Sequence, residues 1–105
     1  MTHLTYEILL ALADASLHGY GIIKEIESRA GADAAPSTGA MYLALQRMEG
    51  DGLIEEAPNA GDDARRRYYR ITAVGREQAE MESRRLAELV EAARAKQLLG
   101  TTSGS

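Results

Sequence analysis

The sequence predicts a mainly α fold with one β-hairpin, in the order α-α-α-β-β-α. Three observations carry this. Apolar residues recur at helical spacing in three segments before residue 51 and in one long segment after residue 72. Between them lie two short Ile- and Tyr-bearing runs, 53–57 and 66–71, separated by a stretch with Asn59, Gly61, Asp62 and Asp63. Polar capping residues and glycine stops fall at the borders of these segments.

The first helix is predicted over 5–13. Leu4, Ile8 and Leu12 step by four, and Leu9 and Ala11 widen that face. Residues 14–19 connect it to a second helix over 18–30, with Ser16 as the expected N-cap and Gly19 in the first turn. Tyr20, Ile22, Ile23, Ile26 and Ala30 supply its apolar positions, while Lys24, Glu25, Glu27, Ser28 and Arg29 fill its polar face. Gly31 is its stop.

After a small-residue turn at 32–36, Ser37 reads as the N-cap of a third helix running to Asp51, with Gly52 in the left-handed position that follows. Met41, Ala44, Leu45 and Met48 share one face, which must be core. The opposite face carries Gly39, Leu43, Gln46 and Gly50, flanked by Tyr42 and Arg47. Two glycines and an exposed Leu suit a surface that something approaches closely. The strands 53–57 and 66–71 follow, joined by a loop over 58–64. Thr72 then caps a long last helix that is predicted to reach residue 99. The small polar tail 100–105 is expected to be disordered. The division is thus a compact unit over 1–72, a projecting helix over 73–99 and the tail.

Composition removes several functions. The 105 residues suit one domain with an appended helix. Hydrophobic residues make up 45% and charged residues 27%, too polar for a membrane protein and too apolar for a disordered one. No apolar run approaches the ~18 residues that span a bilayer. No basic segment followed by an apolar run opens the chain, so no secretory signal is expected and the cytoplasm is the expected compartment. With no cysteine there are no disulfides, thiol catalysis or cysteine-based zinc sites. His3 and His18 lack a third ligand in register, so no metal is expected, and His18 reads as a structural helix-start residue. Glu7 and the other carboxylates are placed on solvated helix faces, and the four Met residues in the core. No acid–base pair and no nucleophile beside a base is evident. Neither enzymatic activity nor a cofactor is expected.

The element order is that of the winged helix-turn-helix, in which a third helix enters the DNA major groove and a hairpin contacts the flanking backbone. Net charge is -4, so DNA binding must rest on a local patch. Arg65, Arg66 and Arg67, with Arg70 beyond, form the densest basic run, and guanidinium groups suit phosphate. Ser37 and Thr38 open the third helix, whose free N–H groups also favour a phosphate. The bland reading weighs evenly against this: Arg66 and Arg70 share a strand face and could pair with Glu55 and Glu56 across the hairpin.

The last helix carries an apolar stripe of Ala79, Leu86, Leu89, Val90 and Ala93, interrupted by Glu82. Nothing before it is long enough to cover its far end, so the stripe asks for a second copy of itself. Glu82 would then pair across the seam or sit at its rim. Packing back onto the first helix is the alternative, and both can hold together.

The sequence resembles the PadR family of bacterial and archaeal transcriptional regulators. Its marks run in order. They open with Leu4, Thr5, Tyr6, Glu7, Ile8 and Leu9, then Leu17, His18, Gly19 and Tyr20, with Ile23 and Glu27. Ser37, Thr38, Gly39, Ala40, Met41 and Tyr42 follow, with Leu45, Arg47, Glu49, Gly52, Leu53 and Ile54. Arg66 through Thr72, Gly75 and Arg76 close the set. The match covers residues 4–76, and the single C-terminal helix resembles the small subfamily. Thr38 stands where proline is usual in the family, and Leu43 where many members have proline or a basic residue. Thr38 keeps its N–H and hydroxyl, while Leu43 offers a thymine methyl an apolar contact but no hydrogen bond.

The resemblance implies a dimeric repressor on double-stranded DNA with an inverted-repeat operator, open to a small-molecule effector near the dimer interface. It implies that Ser37, Gly39 and Tyr42 meet the DNA backbone beside the wing arginines. Gln46 and Arg47 have base-reading chemistry, but Arg47 lies at the edge of the face and suits a phosphate better. The candidate DNA-binding residues are therefore Ser37, Thr38, Gly39, Tyr42, Leu43, Gln46, Arg47, Arg65, Arg66 and Arg67. The candidate dimerisation residues are Leu86, Leu89, Val90 and Ala93. The competing reading, favoured by the acidic balance, is a winged-helix protein-interaction module that binds no DNA.

Overall fold

A computed structural model describes residues 1–59 and 65–100. Its elements are α1 (His3–Ala11), β1 (Leu17–His18), α2 (Gly19–Ala30), a short 3-10 turn (Ala32–Ala34), α3 (Thr38–Gly50), β2 (Ile54–Ala57), β3 (Tyr68–Ile71) and α4 (Ala73–Ala95). This is the winged-helix order, with one element that the sequence did not announce. β1 pairs antiparallel with β3, making a three-stranded sheet in the order β1-β3-β2. Two residues carry no periodicity, so nothing in the sequence marks β1 as a strand. The tip of the hairpin and the tail 101–105 lie outside the described residues.

The core sits where α1, α2 and α3 meet the sheet. Ile8, Leu9, Leu12, Ile22, Ile26, Met41, Leu45, Met48 and Ile54 are all fully buried, and Tyr69 joins them. These are the predicted core faces of the three helices. Three placements differ. Tyr20 is 54% exposed, because on the α2 wheel it lies opposite Ile22 and Ile26. Ala30 is exposed because α2 runs past the core before it ends. Met1 and Met81 are exposed, so only Met41 and Met48 fill core space.

The caps explain where the helices stop. Ser37 Oγ accepts from Ala40 N–H at 3.1 Å and opens α3, as expected. Thr72 opens α4 in the same way. Gly31 ends α2 at φ 93°, in the region that favours glycine. The cap of α2 is not Ser16: His18 Nδ1 accepts from Gly21 N–H at 3.0 Å. α4 ends at Ala95, short of residue 99, with Gln97 at φ 62° breaking the helical path.

Glu7 is also misplaced by sequence reasoning. It is 8% exposed, and Arg29 reaches it from α2 with Nη2 at 2.8 Å and Nε at 3.3 Å. A buried carboxylate needs such a partner, and that partner sits 22 residues away, beyond any local pattern.

Candidate nucleic-acid interface

α3 lies with Met41, Leu45 and Met48 inward, which turns its other side outward. Ser37, Thr38, Gly39, Tyr42, Leu43, Gln46 and Arg47 are all exposed, with Tyr42 at 50% and Leu43 at 66%. The seven candidate residues of this segment therefore share one accessible surface. No Cβ would meet anything within 4 Å at Gly39, so the surface is open there. Arg47 makes no ion pair with a described residue.

The wing arginines stand beside this face. Arg65, Arg66 and Arg67 are exposed and precede β3, which begins only at Tyr68. Their placement divides the basic run in two. Arg67 donates to Glu56 at 3.1 Å, lies 3.8 Å from Glu49 and covers the Tyr69 ring at 5.8 Å. The Glu56 hydrogen bond holds its guanidinium above the usual arginine range, with the charges of Tyr69, Glu56 and Glu49 adding to it. Arg70 pairs with Glu55 at 2.7 Å, directly across the β2–β3 ladder. The bland reading of local acid pairing thus holds for Arg70, and Arg67 takes the Glu56 partner that it assigns to the other strand-face arginine.

Arg66 does not pair with Glu55 or Glu56. It turns to the start of α2, where Nη1 lies 2.6 Å from His18 Nε2. The same ring caps α2, since His18 Nδ1 accepts from Gly21 N–H at 3.0 Å.

These residues border a cleft of about 460 Å³ between the wing and the starts of α2 and α3. Tyr20, Thr38, Tyr42 and the three arginines are among the residues that line it. Sequence reasoning missed Tyr20 and His18 as members. The signal was present in the wheel angle of Tyr20, but the part of His18 depends on a hairpin folding back from 48 residues away.

The candidate dimerisation residues lie on α4. α1 covers the first part of the stripe: Ala79 packs on the core, Tyr6 Oη bonds Ser83 Oγ at 2.7 Å, and Arg76 donates to Ala13 O at 2.6 Å. Beyond Ser83 the stripe continues past the reach of α1. Leu86 and Ala93 are half-buried, while Leu89 is 54% and Val90 45% exposed. Glu82 is held by Arg85 of its own helix at 2.6 Å.

Comparison with known proteins places this geometry among regulators. Residues 8–81 match the transcriptional regulator PadR-like family. A transcriptional regulator of Mycobacterium tuberculosis is 36% identical over 96 residues, covering 91% of this chain and 82% of that protein. An uncharacterized 37.1 kDa protein of a Streptomyces fradiae transposon is 39% identical over 82 residues, but the chain spans only 22% of its length. Among solved structures, a PadR family transcription regulator from Clostridium difficile superposes with a TM-score of 0.79 at 28% identity, over 94% of this chain and all of the other. Bacillus subtilis PadR in complex with operator DNA superposes at 0.66 over 75% of this chain and 45% of the other. At 22% identity that likeness speaks for the fold alone.

Proposed function

The chain belongs to the PadR-like family of transcriptional regulators, a family of regulators and not of enzymes, and from that premise we propose that it binds double-stranded DNA as a homodimeric repressor. The observation that carries the reading is the single surface shared by the outer face of α3 and the wing. Ser37, Thr38, Gly39, Tyr42, Leu43, Gln46 and Arg47 present a smooth face bordered by Arg65 and Arg66. On this reading α3 enters the major groove. Tyr42, Arg47, Arg65 and Arg66 neutralise or hydrogen-bond phosphates, Gln46 reads an adenine edge and Leu43 packs on a thymine methyl. Arg67 contributes mainly by bracing the wing through Glu56.

Two copies joined through the bare half of α4 present two such faces related by a two-fold axis. An inverted-repeat operator matches that symmetry. The setting is the cytoplasm, where the DNA is; no helix among the described residues is long and apolar enough to cross a membrane. A small-molecule effector would act at the same seam, by changing how the two copies lie.

The test is a gel shift of genomic duplex fragments by the purified chain at two salt concentrations. The expected result is a discrete complex containing two chains, with affinity that falls steeply as salt rises. Failure to shift any duplex at low salt would leave a winged-helix module that contacts protein instead.

A further inference from the structure

Four residues at the corner between α3 and α4 have no part in the DNA-facing surface. α3 ends in a Schellman arrangement: Gly52 N–H bonds Glu49 O at 3.1 Å and Leu53 N–H bonds Met48 O at 3.0 Å, with Gly52 at φ 77°. The carbonyls of Gly52 and Leu53 are then taken by Thr72. Its Oγ1 donates to Gly52 O at 2.6 Å, and its N–H donates to Leu53 O at 3.1 Å. The same Oγ1 accepts from Gly75 N–H at 3.0 Å and so caps α4. Gly75 is buried, and a Cβ on it would collide with the Leu53 carbonyl oxygen.

The end of α3 is therefore fastened to the start of α4 by one backbone hydrogen bond and by the short side chain of Thr72. α4 is a lever of 23 residues, ~34 Å long. A tilt of roughly 10° at its root carries its far end through about 6 Å, close to two base-pair steps of about 3.4 Å each.

We infer that Gly52, Leu53, Thr72 and Gly75 form a positioning joint that fixes the angle between the DNA-facing helix and the dimerisation helix, and so sets which spacing of operator half-sites the dimer accepts. The inference rests on the dimeric DNA-binding reading above. It goes beyond that reading by giving spacing specificity to residues that touch neither DNA nor the partner copy. Thr72 and Gly75 act through the helices they join.

The experiment uses the full chain as wild type, Thr72→Ser, Thr72→Val and Gly75→Ala. Duplexes selected from a random-sequence pool by the wild type supply the half-sites, and the spacer between them is then lengthened and shortened in single base-pair steps. The wild type and Thr72→Ser, which keeps both hydroxyl bonds, share one sharp optimum. Gly75→Ala forces α4 away from Leu53 and moves the optimum by at least one base pair, with the dimer intact by light scattering. Thr72→Val loses both hydroxyl bonds and flattens the preference, so neighbouring spacings bind within about twofold. Should Gly75→Ala not fold, Thr72→Val decides alone. A Thr72→Val protein that binds every spacer more weakly in the wild-type ranking overturns the joint while the DNA reading stands. A wild type that selects no duplex overturns the DNA reading and the joint with it.

Discussion

Gly19 has no side chain, and the ring of Tyr42 occupies the approach that this leaves. A Cβ at Gly19 would come within 3.1 Å of Tyr42 Oη and 3.2 Å of Cζ. The ring is braced against the start of α2 while half of it stays in solvent. A phosphate hydrogen bond from its hydroxyl, with the packing around it, is worth ~1–2 kcal/mol. Tyr42→Ala should therefore weaken DNA binding roughly 5- to 30-fold and barely move the melting temperature. A steep loss of stability with unchanged affinity per folded chain would make Tyr42 part of the scaffold. The wheel angle of Tyr42 against Met41 and Leu45 allows either the outer face or the rim of the core, and the fold leaves half of it exposed. Tyr20 was grouped with the core by its apolar ring, although its angle put it opposite Ile22. Glu7 was not legible at all, because an acid on the edge of a helix is buried only if a distant Arg29 comes to it. The pairing of Arg66 with His18 depends equally on tertiary placement.

At the scale of elements, the ends were as readable as the periodicity. Ser37, Thr72, Gly31 and Gly52 sit where capping chemistry requires them. β1 carries no sequence signal because two residues hold no pattern, and β3 begins at Tyr68 and not at Arg66, whose side chain turns to His18 of β1. α4 supplies a pH test. Arg85 hydrogen-bonds Glu82 through Nε at 3.1 Å and Nη2 at 2.6 Å and holds its carboxyl below the usual range. A carboxylate with a lowered folded pKa contributes stability that is present above its unfolded value, ~4.3, and lost as pH falls through the folded one. Helicity and resistance to denaturant should thus decline below about pH 4.3, and Glu82→Gln should flatten that decline. Circular dichroism between acid and neutral pH checks it; identical acid limbs in the two proteins would contradict it.

The whole molecule is 52 Å long and only 28 by 22 Å across, because α4 runs on past the domain that anchors it. Its stripe is covered by α1 as far as Ser83, half-buried at Leu86 and exposed at Leu89 and Val90. Packing back onto the first helix thus holds for the first half of α4, and the second half is the part that the proposed dimer would cover. Replacing Leu86 and Leu89 with Asp puts charge into the proposed seam at a cost of several kcal/mol, and light scattering should then report monomer. A wild type that is monomeric at tens of micromolar would contradict the seam. The dimer also sets the arithmetic of the most direct measurement, the salt dependence of duplex binding by the wild type and Arg65→Ala. Each phosphate contact contributes ~0.9 to the slope of log K against log salt, and two wings double the effect of one substitution. Arg65 stands before β3, outside the strand pairing. The predicted result is a slope flattened by roughly one to two units, with specific and non-specific duplexes weakened alike and base preference unchanged; a slope identical to that of the wild type would contradict a wing that holds the DNA backbone.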